Sequence, residues 1–321
     1  MTFETESVLD RRRLRRRISL WRSLAVVAGA LMIGVLLFAS ADRAGLLERR
    51  QIARITIEGI ITEDRELLRL FKKIGENQNV AAVILTVNSP GGTTAGGEAL
   101  FEAIRDLTKT KPVVAQFGTI ATSAAYIAGL ATDRIIARGN TITGSVGVIF
   151  QWAEFSQLME KLGVRFNEIK SGPLKANPSP FSPLDDAGRA ATEEMVAESF
   201  RWFLAIVRER RAVDTKNIPG LEQGRVFSGR DALNHKLIDQ IGGEPEVVRY
   251  LEEQRNVPKS LKIVDLKVKR DREWSLLGFA ARALADAVGL SGVGDALLIS
   301  DERLARLRLD GLLSIWHGTE R

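Results

Sequence analysis

The 321-residue chain has no cysteine and only two histidines, His235 and His317. Without thiols there is no disulfide framework, no thiolate metal site, no iron–sulfur cluster and no cysteine nucleophile. Two imidazoles are too few for a histidine-based zinc site, and a Ser-His-Asp triad would have to use one of them. Cysteine-free chains occur in oxidising and reducing spaces alike, so this absence does not fix the compartment. Apolar residues are not scarce. A composition of 45% hydrophobic and 27% charged residues excludes a disordered tail protein, a collagen-like chain and a polytopic transporter. The length suits one large or two medium domains with a sizeable core.

Charge is unevenly placed. The formal net charge is +6 and the pI about 9.7. Residues 1–22 hold Arg11, Arg12, Arg13, Arg15, Arg16, Arg17 and Arg22 against Glu4, Glu6 and Asp10, and so carry most of the excess. A polyarginine arm suits nucleic acid, but its sequel argues otherwise. Residues 23–41 contain no charge, and as a helix they would span roughly 28 Å, close to bilayer thickness. Arginines before such a run stay cytoplasmic by the positive-inside rule. Ala39-Ser40-Ala41 resembles a signal-peptide cleavage site, and a buried core helix is a further alternative. The run is longer than a usual signal-peptide core, so the expectation is an uncleaved anchor with the body outside the cytoplasm.

Beyond a short linker, 42–50, the body alternates strand and helix. Residues 54–59 alternate apolar and polar side chains as a strand, and 63–74 have helical spacing. Residues 80–87 (VAAVILTV) are nearly all apolar, the mark of a strand buried on both faces. Helices are expected at 98–107, 123–130, 154–162, 185–211, 229–233 and 244–253. Strands are expected at 112–116, 134–137, 146–150, 165–169 and 261–268. This alternation argues for an α/β fold with a mainly parallel sheet. From about residue 271 the character changes: 274–290 and 299–316 read as amphipathic stretches of a C-terminal helical extension, 269–321.

Three segments could carry chemistry. Asn88-Ser89-Pro90-Gly91-Gly92-Thr93 follows the buried strand and precedes a helix, the edge at which open α/β sheets bind ligands. Paired glycines let backbone N–H groups approach a developing oxyanion; alone, the segment reads equally as a tight turn, and it lacks the Gly-Lys-Ser/Thr of a P-loop. Ala121-Thr122-Ser123-Ala124-Ala125-Tyr126 puts a serine at a helix start, where free N–H groups give positive potential. Alone, Ser123 reads as an N-cap, and the segment is not the Gly-x-Ser-x-Gly elbow. Lys170-Ser171-Gly172-Pro173-Leu174-Lys175 offers lysines in a chain nearly without histidine. A lysine acts as base only when neutral, which requires desolvation or a neighbouring cation; any single lysine is otherwise a solvated surface charge.

Taken together, these segments resemble the signal peptide peptidase A family of membrane-anchored serine proteases. Asn88–Gly92 looks like its oxyanion loop, Ala121–Tyr126 its nucleophile motif, and Ser171–Lys175 its lysine motif. Thr143-Gly144-Ser145-Val146-Gly147-Val148-Ile149 looks like the block whose serine bonds the lysine. Gly224–Arg230 and Leu237-Ile238-Asp239 share the family's look, and the 52-residue interval from Ser123 to Lys175 matches its short bacterial form. The resemblance covers roughly residues 50–268. It implies a Clp protease/crotonase-like fold, a repeated ββα superhelix with a mainly parallel sheet after one N-terminal transmembrane helix, the protease domain occupying 51–268. It implies catalysis by Ser123 and Lys175 with Ser145 orienting the lysine. The oxyanion is held by backbone N–H of Gly91 or Gly92 and of Ala124, with no metal or cofactor.

The resemblance also implies a homo-oligomer in the bacterial inner membrane. Its N-terminus is cytoplasmic, its catalytic domain periplasmic, and its substrates are remnant signal peptides; no nucleic-acid partner is expected. There are departures: Ala124-Ala125 stand where the family often has Gly-Gly, Ala176 where it often has an acid, and 271–321 match nothing. Rival readings are a membrane-protein quality-control protease of the same fold, a crotonase-type acyl-CoA enzyme, opposed by the export signal, and a non-catalytic membrane scaffold, opposed by the presence of both Ser123 and Lys175.

Overall fold

The structure is a computed structural model that describes residues 21–34, 50–268 and 313–315. The chain divides into two compact units, residues 1–50 and 51–321. In the first, residues 21–34 form helix α1, with Trp21, Leu24, Val26, Val27, Leu31, Met32 and Ile33 exposed. No helix among the described residues is long and apolar enough to cross a membrane. Helix α1 takes in the start of the uncharged run, and residues 35–41 lie outside the described residues, as do the arginine arm up to residue 20 and residues 269–312.

In the second unit, β1 (Gln51–Ile61), α2 (Arg65–Glu76), β2 (Val80–Thr93), α3 (Thr94–Thr108), β3 (Val113–Thr122) and α4 (Ala124–Leu130) follow in strict alternation. Then come β4 (Arg134–Ala137), β5 (Ile142–Gly144), α5 (Ser156–Lys161), α6 (Asp186–Arg211), β6 (Val226–Ser228), α7 (Gly229–Asn234), β7 (Gln240–Ile241), α8 (Glu244–Gln254) and β8 (Lys262–Asp265). A last strand, β9 (Leu313–Ile315), belongs to the same sheet. Helix starts are capped by side chains that accept free N–H groups: Asp64 for α2, Thr93 for α3, Asp185 for α6 and Ser228 for α7.

The sheet runs β6-β5-β3-β2-β1-β8 and is parallel except at β5–β6 and β2–β9. It is buried on both faces, which is why β2 reads as continuous apolar sequence. Val83, Leu85 and Val87 face the main core with Phe71, Ile104, Tyr126 and Phe203. Ala82 and Ile84 face a second core built on Val247 and Leu251 of α8.

The sheet forks at β3. Residues 114–117 pair with β4, whereas Ile120, Ala121 and Thr122 pair with β5. Asn88 holds the fork open: its Oδ1 accepts the N–H groups of Thr119 and Ile120 at 3.1 and 3.2 Å, where the β2–β3 register slips. The fork sends one arm of the sheet toward β7 and the other toward β6.

The expected α/β architecture with a mainly parallel sheet is present. Two expected strands are not. Residues 146–150 lie past β5, because Gly144 (φ 85°) and Ser145 (φ 52°) both sit in the left-handed region and end the pleat. Residues 165–169 are irregular and largely exposed, with no neighbouring strand to pair with among the described residues. The expected helical stretch 299–316 contains a strand at Leu313–Ile315, and its earlier residues lie outside the described ones.

Candidate active site

Strand β3 ends at Thr122 and α4 begins at Ala124. Ser123 makes the corner between them with φ 59° and ψ −121°, a conformation that costs of order 1–3 kcal/mol for a residue other than glycine. It does not cap α4 with its side chain, contrary to the plain N-cap reading. A strand, a strained serine and a helix N-terminus form a nucleophile elbow in geometry, although the Gly-x-Ser-x-Gly spelling is absent. The small residues of the segment have a packing reason: Ala121, Ala124, Ala125 and Ala128 are all fully buried. A Cβ on Gly97 of α3 would come within 3.2 Å of the Ala124 methyl.

Beside this corner runs the glycine segment, which continues β2 as a strand. Gly91 has φ 111°, open to glycine and little else, and a Cβ on Gly92 would fall into the Ile61 carbonyl of β1. Ser89, buried, donates its hydroxyl to the Gly59 carbonyl at 2.6 Å and accepts the Gly91 N–H at 3.1 Å. Gly91 therefore has its N–H committed inside the loop. Thr122 Oγ1 donates to the Pro90 carbonyl at 3.1 Å and ties the loop to the residue before Ser123.

Strand β5 brings up the third piece. The Ser123 N–H donates to the Gly144 carbonyl at 2.9 Å, and Thr122 pairs with Gly144, so Ser123 and Ser145 each follow the last paired residue of their strand. The Ser145 N–H in turn donates to the Arg225 carbonyl at 3.0 Å. Thus the Gly224–Arg230 block supports the turn that presents Ser145. Ser145 also opens a groove of about 860 Å³ lined by Val148, Phe150, Trp152, Val196 and Phe200.

Lys175 is placed differently. It lies in a turn, exposed, its N–H bonded to the Gly172 carbonyl at 3.2 Å, and its amine makes no hydrogen bond or ion pair with a described residue. The stretch that carries it is the most apolar exposed surface of the described body. Trp152, Phe155, Leu158, Leu162, Val164, Phe166, Ile169, Leu174 and Phe181 are all exposed there, with only Met195 and Ile241 exposed elsewhere in the body. Phe166 and Phe181 stack at 4.6 Å and hold the stretch together.

The structure thus gathers Ser123, Ser145, Ala124, Gly91 and Gly92 at one sheet edge, while Lys175 lies on an exposed turn. Sequence reasoning missed the roles of Ser89, Thr122 and Arg225. Ser89 and Thr122 were legible as hydroxyl residues inside the quoted motifs; Arg225 acts through its backbone, which no side-chain pattern announces. Beside Ser123, Tyr126 is fully buried and donates to the Leu237 carbonyl at 2.8 Å, and burial pushes its phenol far above the ordinary tyrosine value. Among the described residues no cluster of His, Asp or Glu could hold a metal ion.

Residues 105–258 match the family description Peptidase family S49. A protein of Synechocystis named as a protease is 31% identical over 204 residues, 63% of this chain and 73% of its own length. A protein of Methanocaldococcus jannaschii, also named as a protease, is 32% identical over 60% of this chain; the chain spans 62% of that relative's length. A protein of Enterococcus faecium named as a signal peptide peptidase SppA is 29% identical over 78% of this chain and 76% of its own. A solved mutant of a membrane-bound stomatin-specific protease aligns with 69% of this chain and 99% of its own at 14% identity and a TM-score of 0.42, too distant to add to the fold. The chain belongs to peptidase family S49, the signal peptide peptidase A family of serine-type peptidases.

Proposed function

We propose that the protein is a serine endopeptidase that cleaves apolar peptides, remnant signal peptides among them, through Ser123 as nucleophile and Lys175 as base. The observation that carries this reading is the strained corner at Ser123, set between a helix N-terminus and a glycine strand. Neutral Lys175 takes the Ser123 proton as the hydroxyl oxygen attacks the peptide carbonyl. The oxyanion is met by the N–H groups of Gly92 and Ala124; Gly92 is preferred over Gly91 because the Gly91 N–H is already bonded to Ser89. The leaving amine takes the proton from the lysine. Water, deprotonated by the same lysine, then attacks the acyl carbonyl; the bond to the Ser123 oxygen breaks, the acid product leaves, and the lysine returns the proton to Ser123. Ser145 orients the lysine amine.

Two further features support the substrate and the setting. The groove that opens at Ser145 is mostly apolar and fits hydrophobic side chains of an extended peptide. The uncharged run at 23–41 after an arginine arm supports a tether that leaves the N-terminus in the cytoplasm and the catalytic unit outside it, where cleaved signal peptides remain.

Lys175 on an exposed apolar stretch supports a homo-oligomer. In this reading the stretch from Trp152 to Phe181 packs on a neighbouring copy and delivers its lysine to that copy's serine. The test is labelling with a fluorophosphonate probe. The intact protein should be labelled at Ser123, and Ser123→Ala should abolish labelling and peptide hydrolysis while the far-UV spectrum is unchanged. Labelling that survives Ser123→Ala would end the proposal.

A further inference from the structure

Ser145 is held from β6 and the loop before it. Thr143 pairs with Phe227 and Gly144 with Val226, and just past that ladder the Ser145 N–H donates to the Arg225 carbonyl at 3.0 Å. This bond fixes the backbone of a residue at φ 52°, a conformation that persists only where neighbours hold it. The Arg225 carbonyl lies where a loop enters β6, so its own position needs an anchor. The Arg225 N–H supplies one by donating to the Gly220 carbonyl at 3.0 Å. The side chain supplies the rest. Its Nη2 donates to Asp231 Oδ2 of α7 at 2.6 Å, and its Nη1 donates to the Pro219 carbonyl at 3.2 Å. The guanidinium carbon stands 4.6 Å from the centre of the Phe227 ring, within cation–π reach. A Cβ on Gly220 would come within 2.9 Å of the Arg225 Cδ, so the side chain lies over its own loop.

Phe227 extends the same support to the residue before Ser145. It is buried, and its ring edge fills the space a Cβ on Gly144 would need, 2.7 Å away. One planar cation thus ties together the loop, α7 and the ring packed on Gly144. Asp231 is itself placed: its N–H donates to Ser228 Oγ at 3.2 Å, and its Oδ1 faces His235 Nε2 at 3.4 Å. The side chains of Arg225 and Asp231 keep 45% and 31% of their surface exposed. An ion pair so open to solvent adds little to global stability, so what it contributes is position. We infer that Arg225 is a positioning residue. Anchored by Asp231, it holds the Ser145 turn through its carbonyl and through Phe227, and acts on the lysine amine through Ser145. This rests on the reading of Ser145 as the group that orients Lys175, and adds to it the side chains that keep Ser145 in place.

The test uses the full-length chain, with kcat and KM read on an apolar fluorogenic peptide. Arg225→Met should lower kcat by about 5–20-fold, part of what loss of the Ser145 hydroxyl costs, and leave KM within about two-fold of wild type. Its melting temperature should stay within about 3 °C of wild type. Asp231→Ala, which leaves residue 225 in place, should lower kcat in the same sense. Arg225→Lys should recover only part of the loss, because one ammonium cannot cover the ring and bond both Asp231 and Pro219. The deciding comparison is made in a Ser145→Ala background, where Arg225→Met should lower kcat by less than about two-fold further. Equal fold losses with and without the Ser145 hydroxyl would show that Arg225 acts on something else, and would overturn the inference; so would wild-type kcat in Arg225→Met. If Arg225→Met melts far lower, Asp231→Ala paired with Ser145→Ala decides by the same criterion. Wild-type kcat in Ser145→Ala alone is the separate signature that the orienting role of Ser145 has failed, and the role of Arg225 with it.

Discussion

Ser123 and Ser145 each follow the last paired residue of adjacent parallel strands, β3 and β5, and the Ser123 N–H donates to the carbonyl of Gly144, the residue before Ser145, at 2.9 Å. Both have left-handed backbones, φ 59° and 52°. Two such residues, each ending its strand, turn two hydroxyl-bearing residues out of the pleat at the same sheet edge. Strain of this kind persists only where surrounding contacts over-determine it. Here those contacts are the Ser145 bond to the Arg225 carbonyl and the Thr143 hydroxyl bond to the Ala121 carbonyl at 2.7 Å.

Replacing Ser145 should separate positioning from nucleophilicity. Ser145→Ala is expected to lower kcat by about 10–100-fold, because the base loses its orienting partner, and to leave KM nearly unchanged. Ser145→Thr, which keeps a hydroxyl, should recover part of the loss. A Ser145→Ala enzyme with wild-type kcat would show that this hydroxyl plays no part in the reaction.

The glycine strand should tolerate no side chain at residue 92. Gly92→Ala drives a methyl into the Ile61 backbone, and thermal unfolding should show a loss of more than about 3 kcal/mol. Gly91→Ala meets its left-handed φ of 111° and should cost of order 1–3 kcal/mol. Ser89→Ala leaves the Gly91 N–H and Gly59 carbonyl without their partner, and a loss of about 1–3 kcal/mol is expected. Melting curves of the three variants, ranked in that order, check the assignment.

Delivery of Lys175 by a neighbour can be read by mixing. Ser123→Ala and Lys175→Ala proteins, each inactive, should regain activity when unfolded and reassembled together, up to about one quarter of wild type for random pairing of copies around a ring. No recovery in mixed oligomers would place lysine and serine of each site in one copy. Replacing Leu158 and Leu162 by Glu should lower both the oligomer size and the activity, measured by light scattering and peptide hydrolysis.

Acid stability has one identifiable contributor near the groove. The Thr215 hydroxyl, bonded at 2.5 Å, and then Arg208 hold the Glu222 carboxyl below the usual carboxylate range. A carboxylate with a lowered folded pKa stabilises the fold above its unfolded value, near 4.3, and that share is lost as pH falls through the lower folded value. Melting temperatures of wild type and Glu222→Gln should therefore converge below about pH 4 and diverge toward neutral pH, with wild type higher. Thr215→Val should reduce the divergence. A constant difference from pH 3 to pH 7 would refute the linkage.

Much of the fold was readable along the chain. The apolar run at 80–87 marked a doubly buried strand, and residues 185–211 declared the long α6 almost to its ends. The small-residue segment around Ser123 marked a strand-to-helix corner. The failures have a common cause. Residues 146–150 are apolar enough for a strand, but the left-handed Gly144 and Ser145 just before them end the pleat, and residues 165–169, only two of them apolar, lie largely exposed with no strand to bond among the described residues.

By itself, the sequence determined the inventory: a serine before a helix, glycines after a buried strand, a lysine in place of histidine, and the periodicities that make an α/β sheet. These are local, because propensity and pattern act over one or two turns. Tertiary structure decided which groups remain available. It bonded the Gly91 N–H to Ser89, set the Ser145 turn beside Ser123, left Lys175 on an exposed turn of an apolar stretch, and paired residues 313–315 with β2. Those outcomes depend on strand register between segments tens to hundreds of residues apart, and register is set by the packing of the whole sheet.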